Sequence, residues 1–149
     1  MKSKCVVIGF AALSLVPVSG CGGPKTRSGV AFEKKSASDI DQLCETMIGL
    51  NVDIYKMRRN ISDRDKRRIV GECCKPVKAS AGKLDDIQRA YLWYDWAAKD
   101  DLNQAPNKLQ ALREVSLALR GDLTPPDRSK AAQVQSTANI CAGRMADQV

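Results

Sequence analysis

Seven apolar residues, Ile40, Leu43, Met47, Leu50, Ile54, Met57 and Ile61, follow one another at alternating spacings of three and four. That spacing draws one apolar seam along an α-helix. No run after residue 35 alternates long enough to argue for a strand. Ser38 is placed to cap the start of this helix, with Asp39 and Asp41 near the positive end of its dipole. Lys56, Arg58 and Arg59 suit the other end for the same electrostatic reason.

Four further segments read as helices. Ser62 is a cap, followed by Ile69, Val70, Cys73, Cys74 and Val77; Pro76 cannot donate to the carbonyl of Glu72, so a kink or early stop is expected there. Leu84, Ile87, Tyr91, Tyr94 and Ala98 form the third seam, interrupted at 103–106. Leu109, Leu112, Val115 or Ser116, and Leu119 form the fourth, with Gly121 placed as a left-handed residue past its end. Thr124 caps the fifth, with Pro125 in its first turn and Asp127 three residues after the cap. Its seam of Ala131, Val134, Ala138, Cys141 and Met145 is small enough for a neighbouring helix to come close. The expected fold is an all-α bundle of four or five helices over 37–149.

The N-terminus belongs to a different kind of segment. Lys2 and Lys4 precede a 14-residue apolar stretch from Cys5 to Val18, too short for a confident membrane-spanning helix and shaped like a secretory signal. The residues Val18-Ser19-Gly20-Cys21 resemble the lipobox of bacterial lipoproteins, although most lipoboxes carry Leu where Val18 stands. The resemblance implies a signal peptide over 1–20 and an acylated Cys21 as the first residue of the working protein. Two or three acyl chains anchor far more firmly than one, since each buried methylene contributes about 0.8 kcal/mol. Gly22, rather than Asp, follows the cysteine. In a host resembling enteric bacteria, that implies the outer membrane, with the protein facing the periplasm. Residues 21–36 are small, polar and basic, and read as a flexible tether reaching about 20 Å.

An exported domain meets an oxidising compartment. With Cys5 removed and Cys21 acylated, Cys44, Cys73, Cys74 and Cys141 remain, an even number that suggests two disulfides. Joining Cys73 to its neighbour Cys74 strains the backbone. Either of the other two pairings staples the second helix to both the first and the fifth, because adjacent helical positions point about 100° apart. A four-thiolate zinc site is disfavoured, since the paired C-x₂-C spacing is missing; no metal or cofactor is expected.

The chain contains no histidine, which excludes Ser-His-Asp and Cys-His catalysis. Asp85, Asp86 and Asp95 are the carboxylates a hydrolase would have to use, and their arrangement does not stand out from helix-surface charge. No catalytic residue is therefore assigned. Net charge is +7, of which +5 lies from Cys21 onward.

Two surfaces are candidates for binding. Trp93 and Trp96 are three residues apart and form a stripe with Arg89, either core filling or an exposed aromatic platform. The basic run holds Lys56, Arg58, Arg59, Arg64, Lys66, Arg67 and Arg68. It is either a solvated connection between helices or a patch steering a membrane or partner. Nucleic acid is not expected beyond the inner membrane.

These readings point to a non-enzymatic, membrane-anchored lipoprotein that binds another protein in the envelope. Assembly components, plasmid exclusion lipoproteins and immunity-type proteins belong to that class. The alternative is a lipoprotein that binds peptidoglycan or another glycan through Trp93 and Trp96.

Overall fold

The computed structural model describes residues 23–149. Five helices, α1 (Ala37–Lys56), α2 (Asp63–Ala81), α3 (Asp86–Ala98), α4 (Pro106–Asp122) and α5 (Pro125–Asp147), make an all-α bundle. Short connections make the helices run up and down in turn. α1, α2, α5 and α3 form a four-helix ring in that order, and α4 packs on the outside of α3.

Disulfides join Cys44 to Cys74 and Cys73 to Cys141, so α2 is bonded to α1 on one side and to α5 on the other. Ala131, Ala138, Ala142 and Ala146 line the buried stripe of α5, and their small side chains let α1, α2 and α3 all approach it. Ile40, Ile48, Val52, Ile69, Val77, Leu92 and Leu119 fill the core between them.

Several local expectations are corrected. The N-cap of α1 is Ser36, not Ser38: Asp39 N–H donates to the Ser36 hydroxyl at 3.1 Å, and the Asp39 carboxylate accepts from Ser36 N–H at 2.7 Å. The seam of α1 also turns. The buried positions Ile40, Cys44, Ile48 and Val52 recur every fourth residue, a ridge that drifts around the helix as it packs on α2 and α5. Ile54 and Met57 are consequently left outside, and the helix ends at Lys56. α2 continues through Pro76, because Pro76 and Glu72 both lie on its exposed side, where solvent hydrates the carbonyl that proline cannot serve.

In α3 the buried residues are Gln88, Ala90, Tyr91, Leu92, Trp96, Ala97 and Ala98. Ile87 is exposed and Tyr94 half-buried, in contrast to the expected seam. The cause is α4: packed between it and the four-helix ring, α3 buries more than one face. Gly121 lies inside α4 rather than past its end, and helix geometry gives way to an extended backbone at Leu123.

Residues 24–36 do not behave as a flexible tether. Thr26 and Val30 bond to each other around a tight turn, in which Gly29 adopts a φ of +82° that glycine accepts without strain. An isolated bridge pairs Lys25 with Ala31, and Phe32 enters the core. Arg27 N–H donates to Asp122 at 2.8 Å, and Glu33 N–H to the Tyr94 hydroxyl at 3.2 Å. This hairpin seals one end of the bundle, against the starts of α1 and α3 and the end of α4.

Candidate functional site

Large apolar residues are exposed at several places, Ile87, Leu117 and Ile140 among them, and three gather at the end of the bundle remote from the hairpin. Ile54 is 50%, Met57 81% and Leu102 91% exposed. They border a groove of about 680 Å³ between the second half of α1 and the 99–103 connection that follows α3. Met47, Leu50 and Asn51 line its α1 side, where Asn51 donates to Asn139 of α5 at 3.0 Å.

The connection that forms the opposite wall is held in place at several points. Lys99 bonds to Gln135 of α5 at 2.7 Å and pairs with Asp95 at 2.8 Å. Asp101 pairs with Arg113 of α4 at 2.6 Å. Asn103 N–H closes a turn onto the Asp100 carbonyl. These bonds hold the backbone and leave Leu102 projecting from a polar loop. On the α1 side, Asp53 is engaged by Lys66 at 2.6 Å. Asp100 differs from both other acids of the groove: it is 7% exposed, and among the described residues its side chain has no ion-pair or hydrogen-bond partner.

The sequence-derived candidates are dispersed. Trp96 is 1% exposed and belongs to the core, so it forms no surface stripe with Trp93. Trp93 is half-buried, edge-on to Tyr94, with the Lys35 ammonium 4.0 Å from its ring centre. Arg89 is a structural clamp: it donates to the carbonyls of Lys35 and Leu84 and pairs with Asp86.

Much of the basic run is neutralised locally. Lys56 pairs with Asp63, Arg59 with Asp147, Lys66 with Asp53 and Arg68 with Asp65. Arg58, Arg64 and Arg67 are exposed and have no ion pair among the described residues.

The three acids Asp85, Asp86 and Asp95 are likewise occupied. Asp85 caps α3, Asp86 pairs with Lys34 and Arg89, and Asp95 pairs with Lys99. Lys34 beside Asp86 holds its carboxyl below the ordinary range, as an acid kept ionised by a cation should be. Among the described residues no group of three or more His, Cys, Asp or Glu could hold a metal ion. No described helix is long and apolar enough to cross a membrane. Cys21 and residues 1–20, where a signal peptide is expected, lie outside the described residues.

Sequence reasoning assigned Ile54 and Met57 to the core and passed over Asp100 and Leu102. One signal was available: Leu102 is a lone apolar residue in the polar stretch "KDDLNQ". No protein-family model matches the chain, and no curated protein or solved structure matches it.

Proposed function

We propose that this protein is a lipid-anchored envelope module that binds another protein and performs no chemistry itself. In this reading Cys21 is acylated and holds the chain at the outer membrane, facing the periplasm. The observation that carries the binding role is the apolar groove bordered by Ile54, Met57 and Leu102. Three large exposed apolar side chains gathered around one concavity cost solubility, and such gatherings mark surfaces that a partner covers.

Topology supports the same reading. The hairpin begins three residues after Cys21, whereas the groove lies at the far end of α1, a 20-residue helix about 30 Å long. An anchor at one end therefore presents the groove away from the membrane. Two disulfides and the packed hairpin make the module rigid, so little ordering entropy is lost on association. The glycan alternative required Trp93 and Trp96 to share a surface, and the core position of Trp96 leaves that reading without its paired platform.

The test is site-specific photocrosslinking in intact cells. A photoreactive residue at Met57 or Leu102 should capture one defined protein, whereas the same residue at Ile87 or Gln133 should not. Equal capture at all four positions, or none at Met57 and Leu102, would sink the groove as the docking site. Anchoring is checked separately: Cys21→Ser should abolish palmitate incorporation and release the protein from the membrane fraction.

A further inference from the structure

We infer that the groove receives a cationic amphipathic segment of a partner protein, with a Lys or Arg of that segment meeting Asp100. This rests on the docking role proposed above and adds the chemistry of the occupant. The groove lining holds three acids, Asp53, Asp100 and Asp101, against the single base Lys99, within a chain whose net charge is +7. Its charge is therefore opposite to that of the molecule around it.

Two of these acids are already satisfied, Asp53 by Lys66 and Asp101 by Arg113. Asp100 is not. The residue is only 7% exposed, lines the groove and has no ion pair or side-chain hydrogen bond among the described residues, while its carboxylate oxygens keep contact with solvent. An unpaired carboxylate on the wall of a groove offers an arriving cation a charge-assisted hydrogen bond. Of the three bases without an ion pair on the α1–α2 side, none lines the groove; Arg67 borders the neighbouring depression that shares Leu50 and Asp53 with it.

The apolar part of the recognition is equally defined. Met47, Leu50 and Ile54 lie on α1, and Leu102 stands across from them on the opposite wall. An apolar stripe at helical spacing on the partner would lie between those walls, with its cationic residue directed to Asp100. Met57 and Leu102, the most exposed of the bordering side chains, would be the most covered on binding.

The experiment uses the full chain carrying Cys21→Ser, with two fluorescent helical peptides of about 15 residues. One is built of Leu and Lys, the other of Leu and Glu in the same pattern, and binding is read by anisotropy. Net charge alone favours the Glu peptide; the groove favours the Lys peptide by at least tenfold. Asp100→Asn should weaken the Lys peptide about tenfold, as loss of a charge-assisted hydrogen bond would. Met57→Lys, at an exposed position that does not bear on folding, should weaken it comparably.

Preference for the Glu peptide, or Lys-peptide binding indifferent to both substitutions, overturns the proposal. So does a dimer in sedimentation that Met57→Lys converts to monomer, because the occupant would then be a second copy. If the peptide result fails while Met57 still crosslinks a partner in cells, the docking role stands and the cationic occupant falls. If both fail, both fall.

Discussion

Cys73 and Cys74 are neighbours in the chain yet are bonded in different directions, Cys73 to Cys141 on α5 and Cys74 to Cys44 on α1. The 100° turn between successive helical residues makes this possible. It also places α2 between its two partners and ties three of the four ring helices together.

Double variants distinguish this pairing from the other one. Cys44→Ala with Cys74→Ala removes one complete bridge and should leave no thiol to alkylate in denatured, unreduced protein. Cys44→Ala with Cys73→Ala should leave two. Loss of either native bridge, whose ends are 30 and 68 residues apart, should lower stability by about 4 kcal/mol on the chain-entropy model. Urea midpoints unchanged by Cys44→Ala with Cys74→Ala would contradict that estimate.

The hairpin over 24–36 should behave as part of the domain. Phe32→Ala removes a side chain only 7% exposed and should cost about 3–5 kcal/mol. Trypsin provides a second readout, since Lys34 and Lys35 lie in the hairpin's return to α1. Native protein should be cut there slowly and the Phe32→Ala protein quickly. Rapid cleavage of both would restore the flexible tether.

The two tryptophans should differ in solvent contact. Trp93→Phe leaves Trp96 as the sole emitter, and its burial predicts blue-shifted fluorescence resistant to acrylamide. Trp96→Phe leaves Trp93, half-buried beside Lys35, with redder and more readily quenched emission. Trp96→Ala should destabilise by about 3–5 kcal/mol. Equal quenching of the two single-tryptophan proteins would place Trp96 at the surface.

Stability should fall in acid. The Ser36 backbone N–H and hydroxyl hold Asp39 below the ordinary carboxylate range; the Ser62 hydroxyl does so for Asp65 and the Thr124 hydroxyl for Asp127. Lys56 and Lys34 do the same for Asp63 and Asp86. A carboxylate whose folded pKa lies below its unfolded one stabilises the fold at pH values above the unfolded pKa, near 4. That contribution is lost as pH falls through the folded pKa. Urea midpoints should therefore be level between pH 7 and 5 and drop by pH 3. The triple variant Asp39→Asn, Asp65→Asn, Asp127→Asn should show a smaller drop. A wild-type midpoint as high at pH 3 as at pH 7 would rule the caps out as the source.

The helices were legible because their signals are local. Thr124, Pro125 and Asp127 specify the start of α5 within four residues, and Ile69, Cys73 and Val77 mark one face of α2 whatever packs against it. Even the cysteine count carried three-dimensional content, because adjacent helical positions diverge. Other features had no local solution. Ser36-x-x-Asp39 and Ser38-x-x-Asp41 are equally good capping boxes, and the choice between them follows from the packed hairpin that delivers Lys35 to Trp93. The apolar spacing of α1 runs through Ile54 and Met57, but which of its members face inward depends on the crossing of α1 with α2 and α5. Likewise, Trp96 joins Leu92 in the main core and not a surface stripe with Trp93, which only the packing of α3 against its neighbours decides. The sequence by itself determined helix, staple and cap; the tertiary structure decided which apolar residues the core had no room for, and those residues form the groove.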